Sequence, residues 1–305
     1  MAIFLDPPLW PAHGRMFAHL ISDTSLEELH DFARRAGLNG RAFDRDHYDV
    51  PDQRCDELVR LGARRVDGGT LVRILMASGL RVRAKERSGA LLRPLRQRWL
   101  EVLAGHAGLG EELLRRWGED HRRYHDRAHL LSVLESLDTL DKHQPDRTPG
   151  RLSRAVRLAA WFHDAVYLGQ PGEDEEASAA LAESRLTAAG LPDQEVAEVV
   201  RLVRLTGGHA PAPGDAPGAM LCDADLSVLA RPGPAYRRYV EAVREEYGHV
   251  GDADFTRGRA AVVRQLFNLD PLFNTAAGRD LWQDAARENL HAELARLEQE
   301  VSGTP

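Results

Sequence analysis

From Leu91 onward, apolar residues recur at intervals of three and four, the spacing of helices that bury one face. Such stripes predict helices over 128–141, 151–165, 176–189, 194–206, 234–247, 256–268 and 278–301. The segments 142–150 and 207–218 hold the Gly, Pro and Asp breakers and read as loops. No stretch there alternates apolar and polar residues as a half-buried strand does, so the C-terminal two-thirds is expected to be all-helical. Residues 1–84 follow another pattern. The short apolar run 3–5 stops at Asp6-Pro7-Pro8, and 63–66 before Gly68-Gly69 reads as a strand and turn. Ser25 and Glu28 form a capping box ahead of Leu26, Leu29, Phe32, Ala33 and Ala36, and Gly37 ends that helix. Further short helices are expected over 52–61 and 70–78. The chain is therefore predicted to be mainly α: a small α/β (or α+β) domain over 1–84, a linker over 85–90 around Ser88-Gly89, and an all-α domain over 91–305.

A chain of 305 residues buries about 75% of its unfolded surface, so it needs no metal or disulfide merely to fold. With 43% hydrophobic and 29% charged residues its composition is that of a soluble globular protein. No run approaches the roughly 20 apolar residues of a membrane span. The start, Met1 to Asp6, lacks the basic and apolar regions of a secretory signal. Cys55 and Cys222 are the only cysteines and are expected to be reduced thiols of a cytoplasmic protein. A net charge of −7 argues against binding nucleic acid with the whole surface. One segment runs against that balance: Arg81, Arg83, Lys85, Arg87, Arg93, Arg96 and Arg98 face the single acid Glu86. It reads as a solvated linker entering a helix, with a phosphate-rich or nucleic-acid partner as the weaker reading.

The chemistry concentrates in the helical part. His125 and His129 are four apart and, on a helix, share a face that Val133, Leu137 and Leu140 continue. Leu152, Val156 and Ala159 step at helical spacing toward His163, beside Asp164. Asp223 and Asp225 open another apolar run. Imidazoles and carboxylates from three helices are thus expected to converge on one divalent cation, with Mn, Fe, Co, Ni or Zn preferred over Mg for such mixed ligands. The dipeptide His-Asp alone carries no weight, because it also occurs at 30–31 and 125–126. Asp252-Ala-Asp254 lacks the rest of a calcium loop and reads as a helix start.

The order His125-x-x-x-His129, His163-Asp164, Asp225 resembles the HD superfamily of metal-dependent phosphohydrolases. Arg122 to His129, Trp161 to Tyr167, Asp174 to Ala179, Thr206 to His209 and Asp223 to Leu226 are similar to a bacterial branch of that family with unassigned substrates. The resemblance covers about 91–285; Asp126 and Asp174 stand where relatives usually have Asn. It implies an all-helical fold and His129, His163, Asp164 and Asp225 as metal ligands, the metal acidifying water to a pKa of ~7 and polarising a phosphoryl oxygen. His125 would be the general acid and Arg122 a phosphate clamp. Glu175 would be a general base or water-orienting residue, against the plain reading of an acid at a helix N-terminus. His209 and Asp223 are candidates for a second metal or the phosphate. The implied function is hydrolysis of a phosphomonoester or phosphodiester, with a nucleotide the expected carrier. The rival readings are a non-catalytic nucleotide sensor and a nucleic-acid-processing protein. The sequence leaves the oligomeric state open.

Residues 1–83 resemble a small bacterial domain family of unknown function, which shares Trp10-Pro-Ala-His-Gly-Arg15 and His47-Tyr-Asp49. There His13, His19, Asp23, His47 and Asp49 form either a further metal or phosphate site or, on the favoured reading, capping and turn positions.

Overall fold

A computed structural model describes residues 2–12, 14–80, 88–143 and 153–303. The chain forms two compact units, Met1–Ala84 and Lys85–Pro305.

The first unit is a six-stranded sheet with three helices. Its elements run β1 (Ile3–Leu5), β2 (Trp10–Ala12), β3 (Arg15–Ser22), α1 (Leu26–Arg35), β4 (Phe43–Asp44), β5 (His47–Pro51), α2 (Cys55–Arg60), β6 (Arg64–Arg65) and α3 (Gly68–Ala77). The strand order is β4-β5-β3-β1-β6, with β2 paired to β3. β3 runs antiparallel to β1 and β5, whereas β1 and β6 are parallel. Alternation along the strands splits the sheet into two faces. Ala18, Leu20, Tyr48 and Val50 point to one face and join Leu29, Phe32 and Leu58 in the core. His19, His47 and Asp49 point to the other.

The capping box forms only in half. Ser25 accepts the Glu28 amide at 3.1 Å, but the Glu28 carboxylate accepts from the Ser22 hydroxyl at 2.6 Å. Gly68 and Gly69, expected as a turn, are instead the first residues of α3, which Asp67 caps. Residues 52–54 form a tight 3₁₀ turn ahead of α2.

The second unit comprises α4 (Ser88–Val102), α5 (Ala107–Arg116), α6 (Arg127–Lys142), α7 (Arg154–Phe162), α8 (Glu173–Ala188), α9 (Asp193–Leu205), α10 (Ala216–Leu226), α11 (Gly233–Glu246), α12 (Asp252–Phe267) and α13 (Ala276–Gly303). Among its described residues there is no strand. α4 begins inside the expected linker, and α10 begins inside the expected loop 207–218. Asp215 caps α10, and Pro217 lies in its first turn, where its missing N–H has no helical partner to lose. α10 packs on α6, α7 and α9. Trp99, Trp117, Trp161 and Phe162 anchor one apolar cluster over α4–α10, and Tyr236, Tyr239, Val263, Phe273 and Leu290 anchor another over α11–α13. Arg81 to Arg87 lie outside the described residues, while Arg96 pairs with Glu111 and Arg98 with Asp138. Among the described residues no helix is long and apolar enough to cross a membrane, and both cysteines are buried and form no disulfide.

Trp99 stands edge-on to Trp161, two residues before His163, and its indole N–H donates to the His106 carbonyl at 2.9 Å. Gly110 on α5 faces that indole, and a Cβ there would overlap the ring. Helix propensity favours alanine over glycine by ~1 kcal/mol, but overpacking a fixed ring costs about 1–3 kcal/mol more than that gain. Gly110→Ala should therefore lower the urea midpoint; an unchanged or raised midpoint would show that Trp99 moves freely.

Candidate metal centre

Four side chains from three parts of the helical unit meet at its centre. His129 lies in the first turn of α6, where Asp126 caps the helix by accepting the Ala128 and His129 amides. α7 ends at Phe162, short of the predicted 165, so His163 is its C-cap and Asp164 follows it. Asp225 comes from the last turn of α10. The Nε2 atoms of His129 and His163 are 3.2 Å apart. Asp164 Oδ2 lies 3.2 Å from His163 Nε2 and 3.7 Å from His129 Nε2. Asp225 Oδ1 lies 3.1 Å from His129 Nε2 and 3.6 Å from His163 Nε2. An ion about 2.1 Å from each of four donors requires donor separations of about 3.0–3.5 Å. His163 Nδ1–H donates to the Ala160 carbonyl at 2.9 Å, which leaves Nε2 as the lone-pair donor. The donor set thus fits a borderline divalent cation. Trp117 borders both imidazoles, and Tyr124 packs between His129 and Tyr239, so the cluster lies where the two apolar clusters of this unit meet.

Burial would raise both carboxylates, but the charge and hydrogen bonds of His163 outweigh it and hold Asp164 and Asp225 well below the usual range. Burial likewise depresses His163, yet the two carboxylates win and hold it well above an ordinary histidine. At His129 burial prevails, so that imidazole is held low and neutral.

Around these four, the structure sorts the other predicted residues. His125 does not share a helical face with His129, because α6 begins only at Arg127. It reaches the cluster from the preceding turn, its ring 5.6 Å from His129 and stacked on Tyr167 at 4.2 Å. Its Nδ1 pairs with Glu246 Oε1, and Glu246 Oε2 accepts the amides of Arg123, Tyr124 and His125 at 2.8–3.1 Å. Burial works against charge on His125, but Glu246 overcomes it and raises the imidazole. Glu246 was not singled out in the sequence; an acid ending an amphipathic helix has no local mark of a partner 121 positions away.

Arg122 is not free to clamp a phosphate. Its side chain is fully buried and donates to Glu119 and to the carbonyls of His125, Asp164 and Ala165. It ties together the two segments that carry His125 and Asp164. Asp223 is not a ligand either: its oxygens accept the amides of Asn274 and Thr275 and the Thr275 hydroxyl, each at 2.7 Å, anchoring the approach to α13. Glu175 caps its own helix by accepting the Gly172 amide. His209, in left-handed backbone at φ 50°, places Nε2 2.8 Å from Asp225 Oδ2 and so steadies that carboxylate. Asp174 accepts the amides of Leu168 and Gln170. Asp126 and Asp174 both act as acceptors, a task an Asn oxygen also performs.

In the N-terminal unit His19, His47 and Asp49 also gather, whereas Asp23 binds the Ala2 amide elsewhere and His13 lies outside the described residues. Residues 3–78 match the family described as a protein of unknown function, DUF4031. No curated protein and no solved structure matches the chain. The family match covers the unit with the sheet and ends before α4.

Glu246 offers a test of how the helical site is assembled. Burial disfavours its charge, but His125 and the amides win and bring its pKa from 4.5 down to about 2. A depressed carboxylate stabilises the fold above its unfolded pKa and loses that effect as pH falls through the folded value. Glu246→Gln should therefore cost up to about 3 kcal/mol at pH 7, and the gap should narrow as pH drops from 4.5 toward 2. Urea denaturation at pH 7 and pH 3 measures this; a gap independent of pH would mean that neutral hydrogen bonds suffice.

Proposed function

We propose that the helical unit is a metal-dependent phosphohydrolase of HD type that cleaves a phosphomonoester or phosphodiester, with a nucleotide as the expected substrate. The observation that carries this reading is the convergence of His129 Nε2, His163 Nε2, Asp164 Oδ2 and Asp225 Oδ1 at separations of 3.1–3.7 Å. A divalent cation held by these four would supply Lewis acidity to polarise a phosphoryl oxygen and acidify water. Two anionic oxygens against two imidazoles also favour a 2+ ion over a monovalent one, and the mixed donors favour Mn, Fe, Co, Ni or Zn over Mg.

The chain's own groups supply the rest. His125, with Nδ1 held by Glu246, keeps a proton on Nε2 for the leaving oxygen, and the raised imidazole suits a general acid near neutral pH. Tyr167 stacks on the ring and limits its rotation. Arg122 fixes the carbonyls of His125 and Asp164, so the acid and the ligand move as one piece. His209 holds the outer oxygen of Asp225 and leaves the inner one to face the imidazoles. With Arg122 fully engaged, phosphate recognition falls to groups other than this arginine.

Metal content by ICP-MS and phosphate release from a panel of nucleoside monophosphates, nucleoside triphosphates and cyclic nucleotides test the reading together. His163→Ala/Asp164→Ala should lose both the metal and turnover. His125→Gln should keep the metal while turnover falls about 10²- to 10⁴-fold. A fully active double variant would sink the proposal, and metal-loaded wild type inert toward every phosphate ester would reduce the site to a binding centre.

A further inference from the structure

The sheet of the N-terminal unit aligns a second set of metal-ligating groups by register alone. His19 on β3 is the direct cross-strand partner of Asp49 on β5, and His47 lies two residues before Asp49, on the same face. Asp6, just past β1, binds back to His19: its amide donates to the His19 carbonyl, and its Oδ1 accepts the His19 amide at 2.6 Å. Four polar side chains from three strands therefore share the face opposite Leu20, Tyr48 and Val50.

Both imidazoles are held from behind. His19 Nδ1 lies 3.0 Å from Asp6 Oδ2, and His47 Nδ1 lies 2.5 Å from Asp46 Oδ1; Asp6 and Asp46 are 5% and 1% exposed. A buried carboxylate on Nδ1 fixes that nitrogen as the donor and turns Nε2 outward as a lone pair, the arrangement that orients metal-binding histidines. Both Nε2 atoms face Asp49 Oδ1, at 3.4 Å from His47 and 3.9 Å from His19, and the three ligand atoms all lie within 4.8 Å of one another. Those spacings are long for N–H···O bonds, which run about 2.7–3.2 Å. They suit donors around a shared ion once Asp49, whose side chain is half exposed, swings inward by a few tenths of an ångström.

We propose that the N-terminal unit carries a divalent transition-metal site formed by Nε2 of His19, Nε2 of His47 and a carboxylate oxygen of Asp49, with Asp6 and Asp46 as orienting carboxylates. Two imidazoles and one carboxylate select Zn, Fe(II), Co or Ni over Mg and Ca. Three protein ligands leave coordination positions open on the solvent side, beside the exposed Trp10 indole, which lies 5.2 Å from the His19 ring. That is the pattern of a centre that accepts an exogenous ligand rather than of a closed structural site. The proposal does not depend on the helical unit being an enzyme.

The test uses the full-length chain reconstituted with Co(II), desalted, and measured by ICP-MS and by its visible d–d absorption. The chain with His163→Ala/Asp164→Ala should retain about one equivalent of Co(II), and adding His47→Ala should remove it. Asp46→Asn in the same background should weaken Co(II) binding by about 10–100-fold. Because the double variant could misfold, the wild-type chain carries the same test: His47→Ala alone should lower its cobalt by about one equivalent. If His47→Ala changes neither stoichiometry nor spectrum in either background, the three residues form only a hydrogen-bonded strand cluster and the proposal is overturned. Loss of cobalt through His163→Ala/Asp164→Ala but not through His47→Ala would leave the helical site standing and remove this one.

Discussion

Two carboxylates and two imidazoles occupy one point in the interior of the helical unit, and charge at that density is costly to bury unless every group is compensated. Much of what surrounds Asp164 and Asp225 follows from that requirement. The carboxylates meet His129 and His163, the backbone of Asp164 is held by Arg122, and the outer oxygen of Asp225 is met by His209. The apolar walls of Trp117 and Tyr124 raise the stakes, because low polarity strengthens attraction between opposite charges as much as it penalises an unmatched one.

The buried ions beside the cluster act on the backbone more than on one another. Arg122 donates to three carbonyls, and Glu246 accepts three consecutive amides as well as the His125 ring. Asp223, two residues from a candidate ligand, uses its oxygens on the segment leading into α13. These contacts join pieces far apart in the chain, so the position of each candidate ligand depends on elements that carry no ligand themselves. Near one site, charged residues thus divide into those that face the centre and those that hold the chain that presents them.

The two units solve the same problem of aiming an imidazole with different backbone. In the helical unit the Nδ1 of His163 is held by a main-chain carbonyl freed at the end of α7. In the sheet there is no such free carbonyl, because the ladder uses it, and buried carboxylates hold His19 and His47 instead. The helical arrangement depends on where a helix stops. The sheet arrangement depends on register, since slipping β5 by one residue would turn His47 and Asp49 to the opposite face.

Periodicity determined much of this protein: the all-helical character of the second unit, the sheet-bearing character of the first, and the inward direction of His129 and His163. Those properties are local, since a helix face or a strand alternation is encoded within a dozen residues. Spacing also drew attention to His19, His47 and Asp49 without deciding whether they were turn residues or a cluster. The tertiary structure alone decided which charged residues face the centre. Arg122 and Glu175 read as site residues because they stand next to the motifs, yet one is consumed by distant carbonyls and the other by its own helix end. Glu246 gave no signal because its partner lies 121 residues away. A side chain's role in a buried polar site is set by whichever donors and acceptors the fold brings within about 3 Å, and sequence distance carries no information about that.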